Sequence, residues 1–207
     1  MSLEAALADG ASQLGIDLPP DARSRLLDYL ALLHKWNRIY NLTAVREPSR
    51  MVSHHLLDSL AVVPHIAAET VLDVGSGPGV PGIPLALARP RCHVTLIESS
   101  QKKAAFLQQA KLELRLDNVS VVCGRAESWE ASRHFEIVIS RAFSDLGHFI
   151  AVAARHVAAA GRLAAMKGAY PQAEVARLPR NWRLLQAIPL AVPGLRARRH
   201  LLLLGRA

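Results

Sequence analysis

Residues 71–74, Val-Leu-Asp-Val, run without a break into a loop with glycines at 75, 77, 79 and 82, and that junction restricts the chain to few folds. A buried strand that ends near Asp73 and turns through Gly75 and Gly77 brings backbone N–H groups closer to a ligand than any Cβ allows, the device of a nucleotide-cofactor loop. The residues that follow read as a helix stopping before Pro90, and residues 93–97 as a second buried strand. Glu98 stands at the carboxyl end of that strand, about 20 residues after Gly75, where an acid lies over a ribose. The glycines follow G-x-G-x-G rather than the G-x-G-x-x-G of the dinucleotide fingerprint.

With Asp73 before it, that loop resembles the form seen in S-adenosylmethionine-dependent methyltransferases, and the texture of the chain agrees. From Thr70 onward, short apolar runs alternate with helical segments. Strands are expected at 70–74, 93–97, 119–123, 135–140, 161–166, 182–190 and 199–205, with helices at 82–88, 101–115, 127–132, 145–159 and 172–178. No convincing helix separates the last two strands, and Pro193-Gly194 offers a turn, so the sheet should finish as an antiparallel hairpin. The expected fold is α/β, the Rossmann-like class I methyltransferase plan: a mainly parallel seven-stranded sheet with an antiparallel terminal hairpin and an N-terminal helical extension. Residues 1–66 form that extension, packed on a core at 67–207. At 207 residues and 51% hydrophobic, the chain suits one compact unit.

Within the extension, Leu3, Leu7 and Leu14 have helical spacing, and Asp21 is a candidate N-cap after Pro19-Pro20. Leu26, Leu30 and Leu33 form the apolar stripe of a longer helix whose other side carries Arg23, Arg25, Lys35 and Arg38. A third helical segment, from about Ser49 to Val63, carries His54, His55 and Asp58. Those three have spacings that a metal or a proton relay could use. Without an accompanying Cys or acidic cluster, packing or hydrogen bonding is the preferred role and no metal is expected.

Lys and Arg number 25 against 17 acids, a formal charge of +8, which points to a polyanionic partner such as nucleic acid. The alternative is a basic protein whose charge serves only solubility. Cys92 and Cys123 fall in or beside expected buried strands, as small hydrophobes rather than a disulfide or metal site. The N-terminal residues include two acids and no basic run, and no apolar stretch approaches the roughly 18 residues that span a bilayer, so a reducing cytoplasm is expected and no membrane partner.

In open α/β sheets, ligands bind beyond the carboxyl ends of the strands, which nominates four groups of residues. Gly75, Gly77 and Val80 follow the first strand; their backbone donors suit a methionine carboxylate, and Val80 borders the adenosine. Glu98 follows the second and can accept both ribose hydroxyls. Ala126 and Glu127 follow the third, facing adenine, although Glu127 could simply charge the start of a helix. Arg141 follows the fourth, in Ile-Ser-Arg-Ala-Phe (139–143), the position facing the transferable methyl group. That motif lacks the oxygen acceptors used on exocyclic amines, and Cys123 is not placed as a nucleophile. An acceptor such as a purine N7, whose lone pair is already available, needs neither base nor covalent intermediate. Arg141 would orient a guanine edge or a phosphate, or pair with an acid such as Glu127. Lys167, ending the fifth strand, is a further candidate for substrate contact.

Six motifs carry a more specific resemblance: Leu-His-Lys-Trp-Asn (33–37), Tyr-Asn-Leu-Thr (40–43), His-His-Leu-Leu-Asp-Ser-Leu (54–60), the loop from Asp73 to Pro84, Ile-Ser-Arg-Ala-Phe (139–143) and Met-Lys-Gly (166–168). In this order, over nearly the whole chain, they resemble the RsmG family, also called glucose-inhibited division protein B. The resemblance implies an S-adenosylmethionine-dependent enzyme that methylates N7 of a guanine in 16S ribosomal RNA near the decoding region. Its substrate would be free rRNA or a small-subunit particle, with no obligate protein partner. It also implies cofactor contacts at Gly75, Val80, Ala126, Glu127 and Arg141. Some family members have Asp where this chain has Glu98. Two alternatives differ in class: a nicotinamide-dependent oxidoreductase, which needs a hydride-transfer site and the longer glycine spacing, and an RNA-binding protein that keeps a vestigial pocket.

Overall fold

The computed structural model describes residues 2–141 and 143–207; Ala142, within the 139–143 motif, lies outside the described residues. The N-terminal helices come first. α1 (Leu3–Gln13) is capped by the Ser2 hydroxyl, which accepts from the Ala5 N–H. α2 (Pro20–Tyr40) starts with Pro20 at its first position, so Asp21 is a first-turn acid rather than the N-cap. It ends where Asn41 takes a left-handed conformation, φ 50°. A third rod combines α3 (Pro48–Met51), a π-helical turn (Val52–Leu57) and α4 (Asp58–Leu60).

The sheet follows as β1 (Thr70–Val74), β2 (His93–Glu98), β3 (Val119–Cys123), β4 (Phe135–Ser140), β5 (Val157–Lys167), β6 (Trp182–Pro189) and β7 (His200–Arg206). Helices α5 (Gly82–Ala88), α6 (Gln101–Glu113), α7 (Leu146–Ala153) and α8 (Gln172–Val175) connect them. The strand order is β3-β2-β1-β4-β5-β7-β6. The first five strands are parallel, and β7 runs antiparallel between β5 and β6, so the terminal hairpin expected from Pro193-Gly194 is present.

Three expected elements differ. The helix at 127–132 is a short turn, because Arg155 and His156 bind the Glu127 and Ala126 carbonyls and hold them away from a helical path. The helix expected to reach residue 159 ends at Ala153, and β5 starts at Val157, four residues before the expected strand. A Cβ on Gly161 would stand 2.8 Å from the Glu136 carbonyl oxygen, so only glycine passes that irregular β4–β5 register. Cys92 is buried as expected, whereas Cys123 is exposed at the end of β3.

One apolar cluster joins the N-terminal helices to the sheet: Leu7, Leu26, Leu33 and Leu60 pack with Ile83, Phe106 and Leu201. The opposite face is covered by α7, through Phe149 and Ile150 against Phe135 and Trp182. Of the basic residues on α2, Lys35 and Arg38 are exposed. Arg25 is not free, since its Nη2 donates to the Leu114 and Arg115 carbonyls at the end of α6, where a cation is favoured. No described helix is long and apolar enough to cross a membrane.

Candidate active site at the strand ends

The strand order reverses at β1, with β2 on one side and β4 on the other, and this switch point opens a crevice beyond the carboxyl ends. In register, Val74 lies beside Ile97, and Glu98 beside Cys123. The loop after β1 turns at Gly75, Gly77 and Gly79 with φ of 68°, 57° and 96°, conformations that side chains rarely adopt. Gly82 is required by contact instead, because a Cβ there would stand 2.2 Å from Leu96.

Most of the loop's N–H groups are already spent. Gly75 and Ser76 donate to the Ile97 carbonyl, Gly79 and Val80 to that of Ser76, and Gly77 to Glu98 Oε2 at 2.8 Å. The expected backbone donors at Gly75, Gly77 and Val80 therefore brace the loop, which offers a ligand its shape more than its amides. Glu98 is the brace on the other side. Its Oε1 accepts from the Ser100 N–H at 2.8 Å, so the carboxylate ties the glycine loop to the start of α6, with a second lone pair left on each oxygen.

Asp73, fully buried below the loop, accepts from the Gly82 N–H at 3.0 Å through Oδ2. Its Oδ1 has no hydrogen-bond partner among the described residues. Burial pushes its carboxyl up to about 7 against the opposing pull of the Gly82 N–H and Arg141. Tyr29, from α2, donates its hydroxyl to the Pro78 carbonyl at 2.6 Å; burial pushes this phenol up, so it stays a neutral donor. The N-terminal extension thus holds the glycine loop directly.

A cleft of about 130 Å³ lies beside the loop, with Val74, Ile97, Ala126, Phe143 and Val152 as apolar walls and Ser99 and the exposed Glu127 at its edge. It brings together Gly75, from the end of β1, with Ala126 and Glu127, from the end of β3. Val80 is buried behind the loop and does not line the cleft, and neither do Gly77 and Glu98.

Arg141 and Lys167 belong to a second cavity, of about 260 Å³, lined by Asp58, Arg141, Met166, Lys167, Gly168 and Arg199. Arg141 does not pair with Glu127. Its Nη1 donates to Asp58 Oδ2 at 2.8 Å and to the His54 carbonyl at 2.9 Å. Arg199 Nε holds the other Asp58 oxygen at 2.9 Å, so one fully buried carboxylate orders two guanidiniums. Asp58 reaches the site from the rod after the π-helical turn, a distortion frequently found at functional sites. Lys167 Nζ donates to Glu174 Oε2 and the Ser144 carbonyl, each at 2.7 Å, and thereby holds the segment after Arg141. His55 is packed away from the cavity, with Nε2 2.9 Å from Thr43 Oγ1 and Nδ1 3.1 Å from the His54 carbonyl. Burial, aided by Arg141, pushes its imidazole down to about 4. Among the described residues there is no group of three or more His, Cys, Asp or Glu that could hold a metal.

Tyr29, Asp58 and Arg199 are the contributors that local spacing does not assign. For Asp58 the available signal is its place after His54 and His55 on one helical segment, which points to hydrogen bonding without naming a partner, and for Arg199 it is the basic cluster before the last strand.

Known proteins with this geometry fall into two groups, one alike in shape and one alike in sequence. The glycopeptide N-methyltransferase MtfA, solved with S-adenosyl-L-homocysteine, superposes with a TM-score of 0.63 at 13% identity over 74% of this chain and 87% of its own. The mitomycin 7-O-methyltransferase MmcR gives a TM-score of 0.65 at 16% identity, over 86% and 60%. At such identities the likeness shows the fold alone, that of a class I methyltransferase. Sequence goes further. A ribosomal RNA small subunit methyltransferase G from Nitrosospira multiformis is 53% identical, covering 97% of this chain and 96% of its own. Its counterpart from Aromatoleum aromaticum is 52% identical over 98% of both. The family profile described as GidB, rRNA small subunit methyltransferase G, matches residues 22–202, from the helix that anchors the glycine loop to the strand that follows Arg199. The chain belongs to the rRNA small subunit methyltransferase G family.

Proposed function

We propose that the protein methylates N7 of a guanine in 16S ribosomal RNA, near the decoding region, with S-adenosylmethionine as methyl donor. The observation that carries the reading is the pairing of the two cavities: a partly apolar cleft beside a glycine loop, and a cationic cavity whose one acid, Asp58, is held by two guanidiniums. The cleft suits an adenosine. Val74, Ile97, Ala126, Phe143 and Val152 give it an apolar wall, Glu127 stands at its edge to accept from an amino group, and Gly75 is in a conformation that keeps a Cβ out of the approach. Gly75, Ala126 and Glu127 would hold the base, and Glu98 would accept from the ribose while Gly77 and Val80 keep the loop in shape. When bound, S-adenosylmethionine supplies an electrophilic methyl group on a sulfonium.

The remaining work belongs to the chain's own side chains. Arg141 is fixed through Nη1, and its Nε and Nη2, without partners among the described residues, can meet an anionic or carbonyl group. Lys167 acts by position, holding the Phe143–Leu146 segment together with Glu174, which also accepts from the Leu146 N–H. Each Asp58 oxygen accepts from an arginine, and both ring nitrogens of His55 already have partners. An acceptor that carries no proton to remove fits such a site. Orientation then supplies the rate.

The test is methyl transfer from labelled S-adenosylmethionine to deproteinised 16S rRNA and to small-subunit particles, followed by nucleoside analysis. Label in 7-methylguanosine is expected, with a chemical step nearly constant between about pH 6.5 and 8.5 under saturating substrate. Label in an exocyclic-amine product, or none with either substrate, would overturn the reading.

A further inference from the structure

The cavity that Arg141 shares with Arg199 has an uncompensated charge. Asp58 carries one negative charge for two guanidiniums, and Lys167 is matched by Glu174, so the lining is left one positive charge in excess. Arg199 is also only partly used. Its Nε donates to Asp58 and its Nη1 to the Arg198 carbonyl at 3.0 Å, while Nη2 has no partner among the described residues. The side chain is 26% exposed, so this free edge is accessible, and the buried carboxylate fixes its direction. A guanidinium so held presents planar N–H donors, the arrangement that matches a phosphate.

Location decides which anion. The cavity shares no lining residue with the cleft beside the glycine loop. Its Arg199 belongs instead to the segment before β7, where Arg196 and Arg198 are exposed. The Arg198 carbonyl lies 3.9 Å from where a Gly168 Cβ would be, so the backbone of this basic segment borders the cavity. Exposed arginines beside Arg199 in the chain suit a run of phosphates better than a single carboxylate. We propose that Arg199, aimed by Asp58, binds a backbone phosphodiester of the acceptor RNA in this cavity. This rests on the reading of RNA as the substrate.

The test compares wild type, Arg199→Gln and Arg199→Lys in three measurements: calorimetric affinity for S-adenosylhomocysteine, direct binding of deproteinised 16S rRNA as a function of salt, and kcat and KM for rRNA methylation. Arg199→Gln should weaken rRNA binding and raise KM by roughly tenfold or more, as expected for a lost charged hydrogen bond. It should also flatten the slope of log affinity against log salt by about 0.7, one phosphate's share on a single strand. Affinity for S-adenosylhomocysteine should stay within about twofold, a range too small for a lost charged contact. Arg199→Lys should restore the salt slope, because it keeps the charge. Loss of S-adenosylhomocysteine affinity with rRNA binding unchanged would overturn the proposal and assign the cavity to the cofactor's carboxylate. An unchanged rRNA affinity and salt slope in Arg199→Gln would overturn it as well. A wild-type protein that fails to methylate 16S rRNA would count against the proposed function, while the binding slope would still read the phosphate site separately.

Discussion

The side of the crevice proposed for the cofactor and the side proposed for the acceptor are built on opposite principles. Around the glycine loop, many separate bonds share the work: backbone to Ile97, Ser76 to Asp73, Gly77 and Ser100 to Glu98, and Tyr29 to Pro78. At the acceptor side the long-range pairing rests on one residue. Asp58 gathers Arg141 and Arg199, 83 and 141 residues away along the chain. A distributed site loses function gradually under substitution, whereas a hub loses it at once.

The sharpest contrast should therefore come from Asp58→Ala, which leaves two guanidiniums facing each other without their buried counter-charge. A loss of about 3 kcal/mol in urea unfolding is expected, as for a broken buried ion pair. A loss below about 1 kcal/mol, the size of an exposed pair, would mean that the hub is dispensable and the comparison false. Glu98→Ala comes next. It strands the Gly77 and Ser100 N–H groups and should cost about 2 kcal/mol, with weaker binding of S-adenosylhomocysteine in calorimetry and rRNA binding retained. Unchanged cofactor affinity in the folded variant would remove Glu98 from the cofactor side.

Asp73 offers a pH signature confined to the cofactor side. Its carboxyl sits at about 7 in the folded chain against 3.8 as the reference, so the folded state keeps a proton that the unfolded state gives up. Stability from this group is consequently present at low pH and lost as pH rises through about 7, the reverse of an ion-paired acid. Asp73→Asn should be more stable than wild type at pH 8 by on the order of 1–2 kcal/mol, and the gain should shrink toward pH 4, in paired denaturation curves. A gain independent of pH would show that Asp73 is not the titrating group. The smallest effect belongs to Tyr29→Phe, which removes one hydrogen bond to the loop and should cost about 1 kcal/mol, with a matching fall in S-adenosylhomocysteine affinity. If the fall is absent, the N-terminal extension does not support the loop.

The same contrast sets how much of the fold and the site is legible in the sequence. Strand, glycine loop and Glu98 sit within one βαβ unit, so their spacing announces their geometry, and the alternation of apolar runs yields the sheet and its final hairpin. The helix expected at 127–132 does not form because Arg155 and His156, from the segment leading into β5, claim the carbonyls it needs. Arg141 stands at the end of its strand, as its motif implies, yet its partner is not a nearby acid such as Glu127. The partner is Asp58, and only the packing of the N-terminal rod against the sheet brings it there. Local pattern carries residues onto elements; pairing between elements depends on the fold's long-range contacts.

The central claim is tested most directly in cells, by mapping 7-methylguanosine in 16S rRNA with the gene intact, with it deleted, and with the deletion complemented by wild type or by Arg141→Ala. The account predicts that deletion removes 7-methylguanosine from one position near the decoding region, that wild type restores it, and that Arg141→Ala restores it poorly. An identical 7-methylguanosine pattern in the intact and deleted strains would contradict it.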